Sequence, residues 1–226
     1  MRPAERAAVI TIDGPAGAGR STAARALARR LGYRLVDTGA MYRALAWSVA
    51  RAGLGAEDTP ALRRHLAGVE VELDGEQVFV DGRDVSGEIR TREVSDLTSR
   101  LTQLEPVRAL ATPLQRRMAK AGGVVLEGRD TGTVVCPEAD VKFYLDASNA
   151  ARARRRQAEL LSRGTAVDLE TVREEITLRD RQDTTRALAP LRKAPDSITV
   201  DTTDLDVDQV VEAMLRAIER RCCTRS

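Results

Sequence analysis

The sequence predicts an α/β protein with a five-stranded parallel sheet, an inserted subdomain and a short arginine-rich lid. Three observations predict this class. Short β-branched runs alternate with helical patterns, as in βαβ units. A glycine-rich segment separates the first run from the first helix, and a hairpin pattern later breaks the alternation. We expect a single domain over residues 1–226, because this length suits one large core with an insertion.

The elements of the parallel core follow from this alternation. Runs rich in β-branched residues mark strands, and the segments between them have helical spacing. The pattern favours parallel strands joined by helical crossovers over a β-sandwich. The predicted strands are residues 8–12, 34–36, 124–126, 141–145 and 198–200, and the predicted helices are residues 21–31, 39–52, 150–161, 169–180 and 207–221.

The stretch over residues 55–110 departs from the alternation. Thr59 and Pro60 suit the N-cap and first position of a short helix. The following residues alternate in β fashion on both sides of Asp74 and Gly75, which is typical of a tight hairpin. Hairpin strands are antiparallel, so we interpret this stretch as a subdomain inserted into the parallel core.

The composition argues against several classes of function. Aromatic residues make up 3% of the chain, and the net charge is +2, so a single-stranded nucleic-acid binder is disfavoured. No apolar run is long enough for a signal segment or a membrane span. The three cysteines lack metal spacing and suggest a reducing compartment. We therefore expect a cytoplasmic monomer that binds neither nucleic acid nor membrane, with Cys222 and Cys223 on a frayed tail.

The strongest motif is the glycine-rich segment between the first strand and the first helix. Its position is that of a P-loop, where glycines let successive N–H groups and the helix N-terminus surround phosphate oxygens. Ser21 is placed to hold Mg²⁺. The alternative is a glycine-rich turn without a ligand. The predicted phosphate-binding residues are Gly14, Pro15, Ala16, Gly17, Ala18, Gly19, Arg20, Ser21 and Thr22.

Arg20 departs from the P-loop pattern, which has lysine at this position. Arginine keeps the positive charge but replaces a compact ammonium with a planar fork, so it can bind phosphate while fitting the transition state less well. All but Lys120, Lys142 and Lys193 of the 36 basic residues are arginines, so the exchange also follows the bias of the whole chain.

Two further motifs follow predicted strands. Arg43 lies one turn into a helix after the polar turn at residues 37–39, where it can clamp a second phosphate facing the loop. Residues 127–130, with sequence EGRD, directly follow a buried strand, at the end of a sheet where ligands bind in α/β proteins. The alternatives are a solvated helix residue for Arg43 and a bare surface turn for the EGRD segment.

An arginine-dense region over residues 152–186 is predicted to form a mobile lid. Phosphoryl transfer needs cations around the moving group, whereas an ordinary solvated helix is the alternative for any one of these arginines. Gly164 lies between the two halves of the region. The two arginine-dense stretches contain Arg152, Arg154, Arg155 and Arg156 in the first and Arg179, Asp180, Arg181, Asp183 and Arg186 in the second.

Together these motifs resemble those of the bacterial cytidylate kinases, and the resemblance covers residues 10 to about 215. It implies the nucleoside-monophosphate kinase fold and transfer of the γ-phosphoryl group of ATP, with Mg²⁺, to CMP or dCMP. The motifs that carry it are ITIDGPAGAG, LVDTGAMYRALA, GRDVSGEIRT, VVLEGRDTGTVV, VKFYLDAS, RDRQDTTRALAPL and VDTTDL.

The resemblance also implies roles for single residues. The glycine-rich segment corresponds to the ATP-phosphate site, and the inserted subdomain to the arm that binds the acceptor nucleotide. The implied catalytic residues are Arg20, Arg43, Arg129, Arg179 and Arg186. The implied acceptor-binding residues are Thr38, with Arg43 and Arg129 for the phosphate, Ser99, Arg108 and Asp130 for cytosine, Arg179 and Asp183 for the sugar, and Arg186, which closes on the nucleotide.

The chemistry of cytosine agrees with this set. A carboxylate at Asp130 can accept from the N4 amino group, whereas the O4 of uracil would face it unfavourably. Two other readings stay open at the level of sequence. One is a small P-loop kinase for a different acceptor, such as another monophosphate or shikimate. The other is a nucleotide-binding regulator whose phosphoryl transfer is impaired by Arg20.

Overall fold

The computed structural model describes residues 7–162 and 164–223, so residues 1–6, 163 and 224–226 of the expected domain lie outside the described residues. The strands are β1 (Val9–Asp13), β2 (Arg34–Asp37), β3 (Val71–Asp74), β4 (Gln77–Val80), β5 (Arg83–Asp84), β6 (Val124–Glu127), β7 (Val141–Asp146) and β8 (Ile198–Asp201). The helices are α1 (Arg20–Leu31), α2 (Thr38–Arg51), α3 (Pro60–Gly68), α4 (Arg92–Leu101), α5 (Glu105–Ala119), α6 (Asn149–Ser162), α7 (Leu169–Thr185) and α8 (Val207–Cys223).

Five strands form one parallel sheet in the order β2-β6-β1-β7-β8, as the sequence predicts. β1 is the central strand, and all five of its residues are buried. Ile10 is level with Val125 of β6 and with Val141 of β7. Because all the strands are parallel, β1, β2 and β6 end at the same edge of the sheet, and the loops that leave them are neighbours.

Helices α1 and α8 pack against β1 and β7. Leu27 of α1, Met214 of α8 and Phe143 of β7 belong to one cluster of buried side chains. The residues of α1 and α8 that belong to this cluster recur every three or four positions, which is the spacing from which the helices were predicted. Within the described ranges, no helix has both the length and the apolar character needed to cross a membrane.

The predicted hairpin is present, with Asp74 paired to Gln77 across the turn. A third strand, β5, pairs antiparallel with β4 and completes a separate small sheet. The sequence did not reveal β5 because its two residues, Arg83 and Asp84, are polar and exposed. Leu45 of α2 and Val80 of β4 are buried in the same cluster, so the small sheet packs against the core.

Helices α4 and α5 were not predicted from the sequence. The side chain of Thr91 accepts from the N–H of Val94 and caps α4, whose buried face includes Leu97 and Leu101. Both the cap at Thr91 and the spacing of the apolar residues could have been recognised in the sequence. α5 runs without a break from Glu105 to Ala119 and therefore continues past residue 110, where the insertion was expected to end.

Two helices end two or more residues later than predicted. α7 continues from residue 180 to Thr185 although this turn has no apolar pattern, and the hydroxyls of Thr184 and Thr185 donate to the carbonyl oxygen of Arg181. α8 continues to Cys223, so the backbone at Cys222 and Cys223 is helical and not a frayed tail.

Candidate active site

The glycine-rich segment forms a tight loop between β1 and α1. Gly14, Gly17 and Gly19 have φ angles of 149°, 76° and 82°, which residues other than glycine rarely adopt. A Cβ atom on Gly14 would lie 2.0 Å from the carbonyl oxygen of Leu145. The glycines therefore permit both the turn and its close approach to β7, as a P-loop requires.

Residues of the predicted lid hold this loop from outside. Asp180 of α7 accepts a hydrogen bond from the backbone N–H of Ala16 at 3.1 Å. Arg152 of α6 donates to the carbonyl oxygen of Ala16 at 3.0 Å and also pairs with Asp180. The conformation of the loop thus depends on α6 and α7.

Arg20 is buried and connects the loop to the end of β6. Its Nη1 donates to Glu127 Oε2 at 2.9 Å and to the carbonyl oxygen of Gly128, and its Nε donates to the carbonyl oxygen of Pro15 at 3.4 Å. A lysine has one nitrogen and could not reach all three acceptors from this position. The arginine is therefore integrated into the loop.

Ser21 faces the buried carboxylate of Glu127, beside which lies the partly buried carboxylate of Asp37. Its hydroxyl donates to Glu127 Oε1 at 2.7 Å. Burial, together with the charge of the neighbouring Asp37, raises the pKa of Glu127 well above its usual range. Closely spaced hard oxygen ligands of this kind fit Mg²⁺, which typically takes one or two carboxylates plus substrate phosphates. Across residues 7–162 and 164–223, no group of three or more His, Cys, Asp or Glu residues could hold a metal by itself.

Neither Glu127 nor Asp37 was predicted from the sequence to bind the metal. Each is the last residue of its strand, and β2 and β6 are neighbours in the sheet with Asp37 level with Glu127. A carboxylate at the end of each strand was visible in the sequence. The adjacency of the two strands was not, because strand order had to be known first.

Arg43 turns back towards the end of β2. Asp37 caps α2 by accepting from the N–H of Ala40 at 2.7 Å, and Arg43 Nη2 lies 3.3 Å from Asp37 Oδ2. Thr38 donates its hydroxyl to the carbonyl oxygen of Glu127 at 2.7 Å. The start of α2 is thereby attached to the EGRD segment.

A compact group of charged side chains is contributed by α5, by α7 with the residue that follows it, and by the EGRD segment. Arg108 Nη1 donates to Asp130 Oδ2 at 2.9 Å, and Arg129 Nε donates to Asp183 Oδ2 at 2.6 Å. Arg186 lies between the two pairs. Its Nη2 is 3.5 Å from Asp130 Oδ1, and its Nη1 is 3.6 Å from Asp183 Oδ1. Five of the residues implied by the resemblance therefore lie together, although up to 78 positions of sequence separate them.

Burial and pairing act in opposite directions at Asp183. Burial by itself would raise the pKa of Asp183, but the charge of Arg129 and the hydrogen bond from it bring that pKa below its usual value. Arg108 Nη2 is buried and has no hydrogen-bond partner among the residues described. Such a donor is free for a polar ligand.

Arg179 is a further cation of this group, and the charge of Asp183 only partly offsets the repulsion from Arg129. Burial, reinforced by the positive charge of Arg129, lowers the pKa of Arg179 to about 10. It stays charged at neutral pH, and the described part of the chain provides it with no hydrogen bond or close ion pair. Clustered arginines held against their mutual repulsion are the arrangement expected at an anion site.

Ser99 does not join this group through its side chain. Its hydroxyl donates to the carbonyl oxygen of Ser95, one turn earlier in α4, at 3.3 Å. The end of α4 is instead connected to this group through its backbone. The carbonyl oxygen of Thr102, which follows α4, accepts from Arg108 Nε at 2.8 Å.

Comparison with known proteins gives a consistent result. The family model described as cytidylate kinase matches residues 10–220. The chain is 46% identical over 221 residues to the cytidylate kinase of Geobacter sp. strain M21, covering 96% of this chain and 95% of that protein. It is 47% identical over 225 residues to the cytidylate kinase of Symbiobacterium thermophilum, covering 97% and 100%.

One solved structure supports the fold alone. An uncharacterized protein from Eubacterium ventriosum superposes with a TM-score of 0.52 and 14% identity, covering 94% of this chain and 98% of that chain. The arrangement of the parallel sheet and its crossovers is therefore shared by proteins of very different sequence.

Proposed function

Because this chain belongs to the cytidylate kinase family, we propose that it transfers the γ-phosphoryl group of ATP to CMP or dCMP, giving ADP and CDP or dCDP. One observation carries the proposal. A loop built for phosphate and a buried group of arginines meet at the same edge of the sheet. Donor and acceptor phosphates can approach each other there, which is the main requirement of phosphoryl transfer.

On the donor side, we propose that the backbone N–H groups of residues 14–22 surround the phosphates of ATP. Arg20 adds positive charge, and its Nη1 contacts fix the direction of the guanidinium group. Asp180 and Arg152 hold the loop in shape through Ala16. Preorganised donors of this kind stabilise charge without rearranging during the reaction.

Mg²⁺ belongs to the same proposal. Ser21, Glu127 and Asp37 are the residues that would hold it, directly or through water. Bound Mg²⁺ supplies charge neutralisation between the donor phosphates and so favours attack by another anion. In this arrangement the acceptor phosphate oxygen is itself the nucleophile, and no general base is needed.

On the acceptor side, we propose that Arg43 and Arg129 bind the phosphate of CMP, with Thr38 beside them. Arg179 and Asp183 contact the sugar, while Asp130 and Arg108 recognise cytosine. Several of these cations are paired with carboxylates of the chain in the structure. The phosphate of the nucleotide, which is also an anion, can replace Asp37 and Asp183 as the partner of Arg43 and Arg129, so binding does not leave these cations unpaired.

Recognition of cytosine follows from the chemistry of the Asp130 carboxylate. It is buried, and its acceptor capacity suits the N4 amino group of the base, whereas uracil presents an oxygen there. Placing two acceptors face to face in a buried site is strongly unfavourable, so UMP is rejected. Ser99 lies at the border of this site, next to the turn that holds Arg108.

We also propose that residues 55–110 form the acceptor-binding arm and residues 152–186 the lid. Arg186 would close on the bound nucleotide and help to exclude water, so that ATP is not hydrolysed. We further propose that the chain acts as a cytoplasmic monomer.

A panel of acceptors tests the proposed function. The purified protein is incubated with ATP and Mg²⁺ and with CMP, dCMP, UMP, AMP, GMP or shikimate, and ADP formation is measured. We expect kcat/KM to be highest for CMP and dCMP. Turnover of another acceptor in preference to these two would refute the proposal, as would binding of ATP and CMP without any turnover.

A further inference from the structure

We propose that Asp13 is a positioning residue, which holds the turn after β6 so that Asp130 and Arg129 meet the acceptor nucleotide in the correct orientation. The inference rests on the proposed function, because it assumes that Asp130 recognises the base. Neither the motifs nor the resemblance to a family assigns a role to Asp13.

Asp13 ends the central strand and reaches across to the segment that follows β6. Its Oδ1 accepts from the backbone N–H of Thr131 at 2.9 Å and from the Thr131 hydroxyl at 2.8 Å, and its Oδ2 accepts from the N–H of Gly132 at 2.8 Å. The side chain is buried. One carboxylate therefore holds two consecutive backbone amides that lie 118 and 119 residues further along the chain.

The two amides begin the single π-helical turn Thr131–Val135. The first N–H groups of a helical turn have no partner within it, and in a buried place they need one from outside. The carboxylate of Asp13 is that partner. Gly132 permits the contact, because a Cβ atom there would lie 2.8 Å from Thr11 Oγ1 and 3.4 Å from Asp13 Oδ2.

The held turn starts directly after Asp130. The backbone of Asp130 has irregular dihedral angles, φ −142° and ψ 21°, and its carbonyl oxygen accepts from the N–H groups of Val134 and Val135, so the turn itself orients it. Restraining Thr131 and Gly132 on one side, while β6 holds Glu127 on the other, leaves little freedom to the residues between them. Asp13 thus acts on the acceptor site through Asp130 and Arg129 and does not touch the nucleotide.

A carboxylate is required for this arrangement. Both oxygens of Asp13 accept from donors, so an asparagine would place its NH₂ group against an N–H or hydroxyl donor in either orientation. Asp13→Asn therefore keeps the size of the side chain and removes part of the restraint. Asp13 also precedes Gly14 of the ATP loop, so the experiment must separate an effect on the acceptor from an effect on ATP.

We expect Asp13→Asn to raise KM for CMP and to lower kcat/KM for CMP by about tenfold or more, from the loss of a charged buried hydrogen bond. The ratio of kcat/KM for CMP to that for UMP should fall, because Asp130 is less well oriented. KM for ATP should stay within about twofold, because the contacts of the loop with Asp180 and Arg152 remain.

A pair of variants at Thr131 keeps the test valid if Asp13→Asn does not fold. Thr131→Val removes the hydroxyl donor and leaves both backbone amides, so it should reduce the CMP to UMP ratio in the same direction but less. Thr131→Ser retains the hydroxyl and should restore the wild-type ratio. A merely structural role would lower the melting temperature without changing this ratio.

Asp206 provides a matched control. Its carboxylate accepts from the backbone N–H of Gln209 at 2.8 Å, but it is exposed at the start of α8, outside the proposed arm and lid. Asp206→Asn should leave the kinetics at the wild-type level.

The inference is overturned if Asp13→Asn or Thr131→Val leaves the CMP to UMP ratio unchanged, or if the only change is in KM for ATP. Failure of the proposed function looks different, because the wild type itself would then show no preference for CMP. In that event, the positioning role is tested by comparing the wild type and Asp13→Asn for their KM with the acceptor that the enzyme does use.

Discussion

Arg20 is the residue at which the chain differs most from the usual P-loop, and its contacts explain how the exchange is accommodated. The guanidinium group is paired with Glu127 and also bonded to the carbonyl oxygen of Gly128, while Nε is bonded to Pro15. One cation thereby joins the donor loop to the segment that precedes the acceptor residues. Removing it would leave Glu127 as a buried carboxylate without its cation.

We expect Arg20→Ala to lower kcat by roughly two orders of magnitude or more, because a preorganised cation at the transferred phosphate is lost. Arg20→Lys should keep kcat within about tenfold of the wild type, because the ammonium restores the charge although not the fork. Steady-state kinetics at saturating CMP distinguish the two. Near-normal turnover by Arg20→Ala would show that the arginine is structural only.

Asp130 is the second residue whose role can be isolated. We expect Asp130→Ala to reduce the discrimination between CMP and UMP, because the acceptor that favours the N4 amino group is removed. The variant also leaves Arg108 and Arg186 without their buried carboxylate, so unfolding should be measured in parallel. Unchanged discrimination in a folded variant would exclude a base-reading role.

At the level of elements, the pair α6 and α7 controls the shape of the donor loop. Ala153 of α6 packs with Val172 and Ile176 of α7 in a small buried cluster of their own. The polar ends of the pair reach the loop through Arg152 and Asp180. A displacement of the two helices is therefore transmitted to Ala16 by hydrogen bonds to both its N–H and its carbonyl oxygen.

We expect Asp180→Asn to raise KM for ATP roughly tenfold while KM for CMP changes less, because a charged hydrogen bond to the loop and a buried ion pair are weakened. Glu175→Gln is the matched control on the same helix. Glu175 pairs with Arg92 on the surface, where such pairs contribute about 0–1 kcal/mol. Equal effects of the two substitutions on KM for ATP would contradict this assignment.

At the level of the whole molecule, charge is concentrated at the carboxyl edge of the sheet. Asp13, Glu127 and Asp37 end the adjacent strands β1, β6 and β2. Asp13 and Glu127 accept from donors distant in the chain, whereas Asp37 accepts from the nearby N–H of Ala40. Burying carboxylates side by side opposes folding. The protein thus keeps an unfavourable charge arrangement where phosphate and metal chemistry is proposed.

The pH dependence of stability should reveal this cost at Asp13. Burial, to which the charge of Asp130 adds, raises the pKa of Asp13 from 3.8 to about 6, although three hydrogen bonds oppose the shift. The folded state therefore binds the proton more tightly than the unfolded state. The resulting stabilisation is complete below pH 3.8 and is lost as the pH rises through 6, and it amounts to roughly 3 kcal/mol.

Chemical denaturation of the wild type and of Asp13→Asn between pH 4 and 8 measures this effect. The free energy of unfolding of the wild type, relative to the variant, should increase as the pH falls from 7 towards 4. Taking the difference removes the contribution of other carboxylates that titrate in both proteins. A difference that is independent of pH would show that Asp13 has an ordinary pKa.

The sequence by itself determined the fold class, the order of the core elements, the glycine-rich loop and the hairpin around Asp74 and Gly75. These features have local causes: the period of apolar residues, glycines at positive φ and turn chemistry. Arg43, Arg129 and Asp130 could be singled out because each directly follows a predicted strand or turn. β5 and the last turn of α7 were not recognised, since neither has an apolar period.

Only the tertiary structure decided which charged groups meet. Arg20 reaches Glu127 across 107 positions, and Asp13 reaches Thr131 across 118. Both contacts exist because β6 lies between β1 and β2 in the sheet. Strand order results from the packing of the whole core, whereas local sequence patterns report only that a strand is present. For this reason the sequence revealed the ends of the strands as candidate sites, and the fold alone revealed their partners.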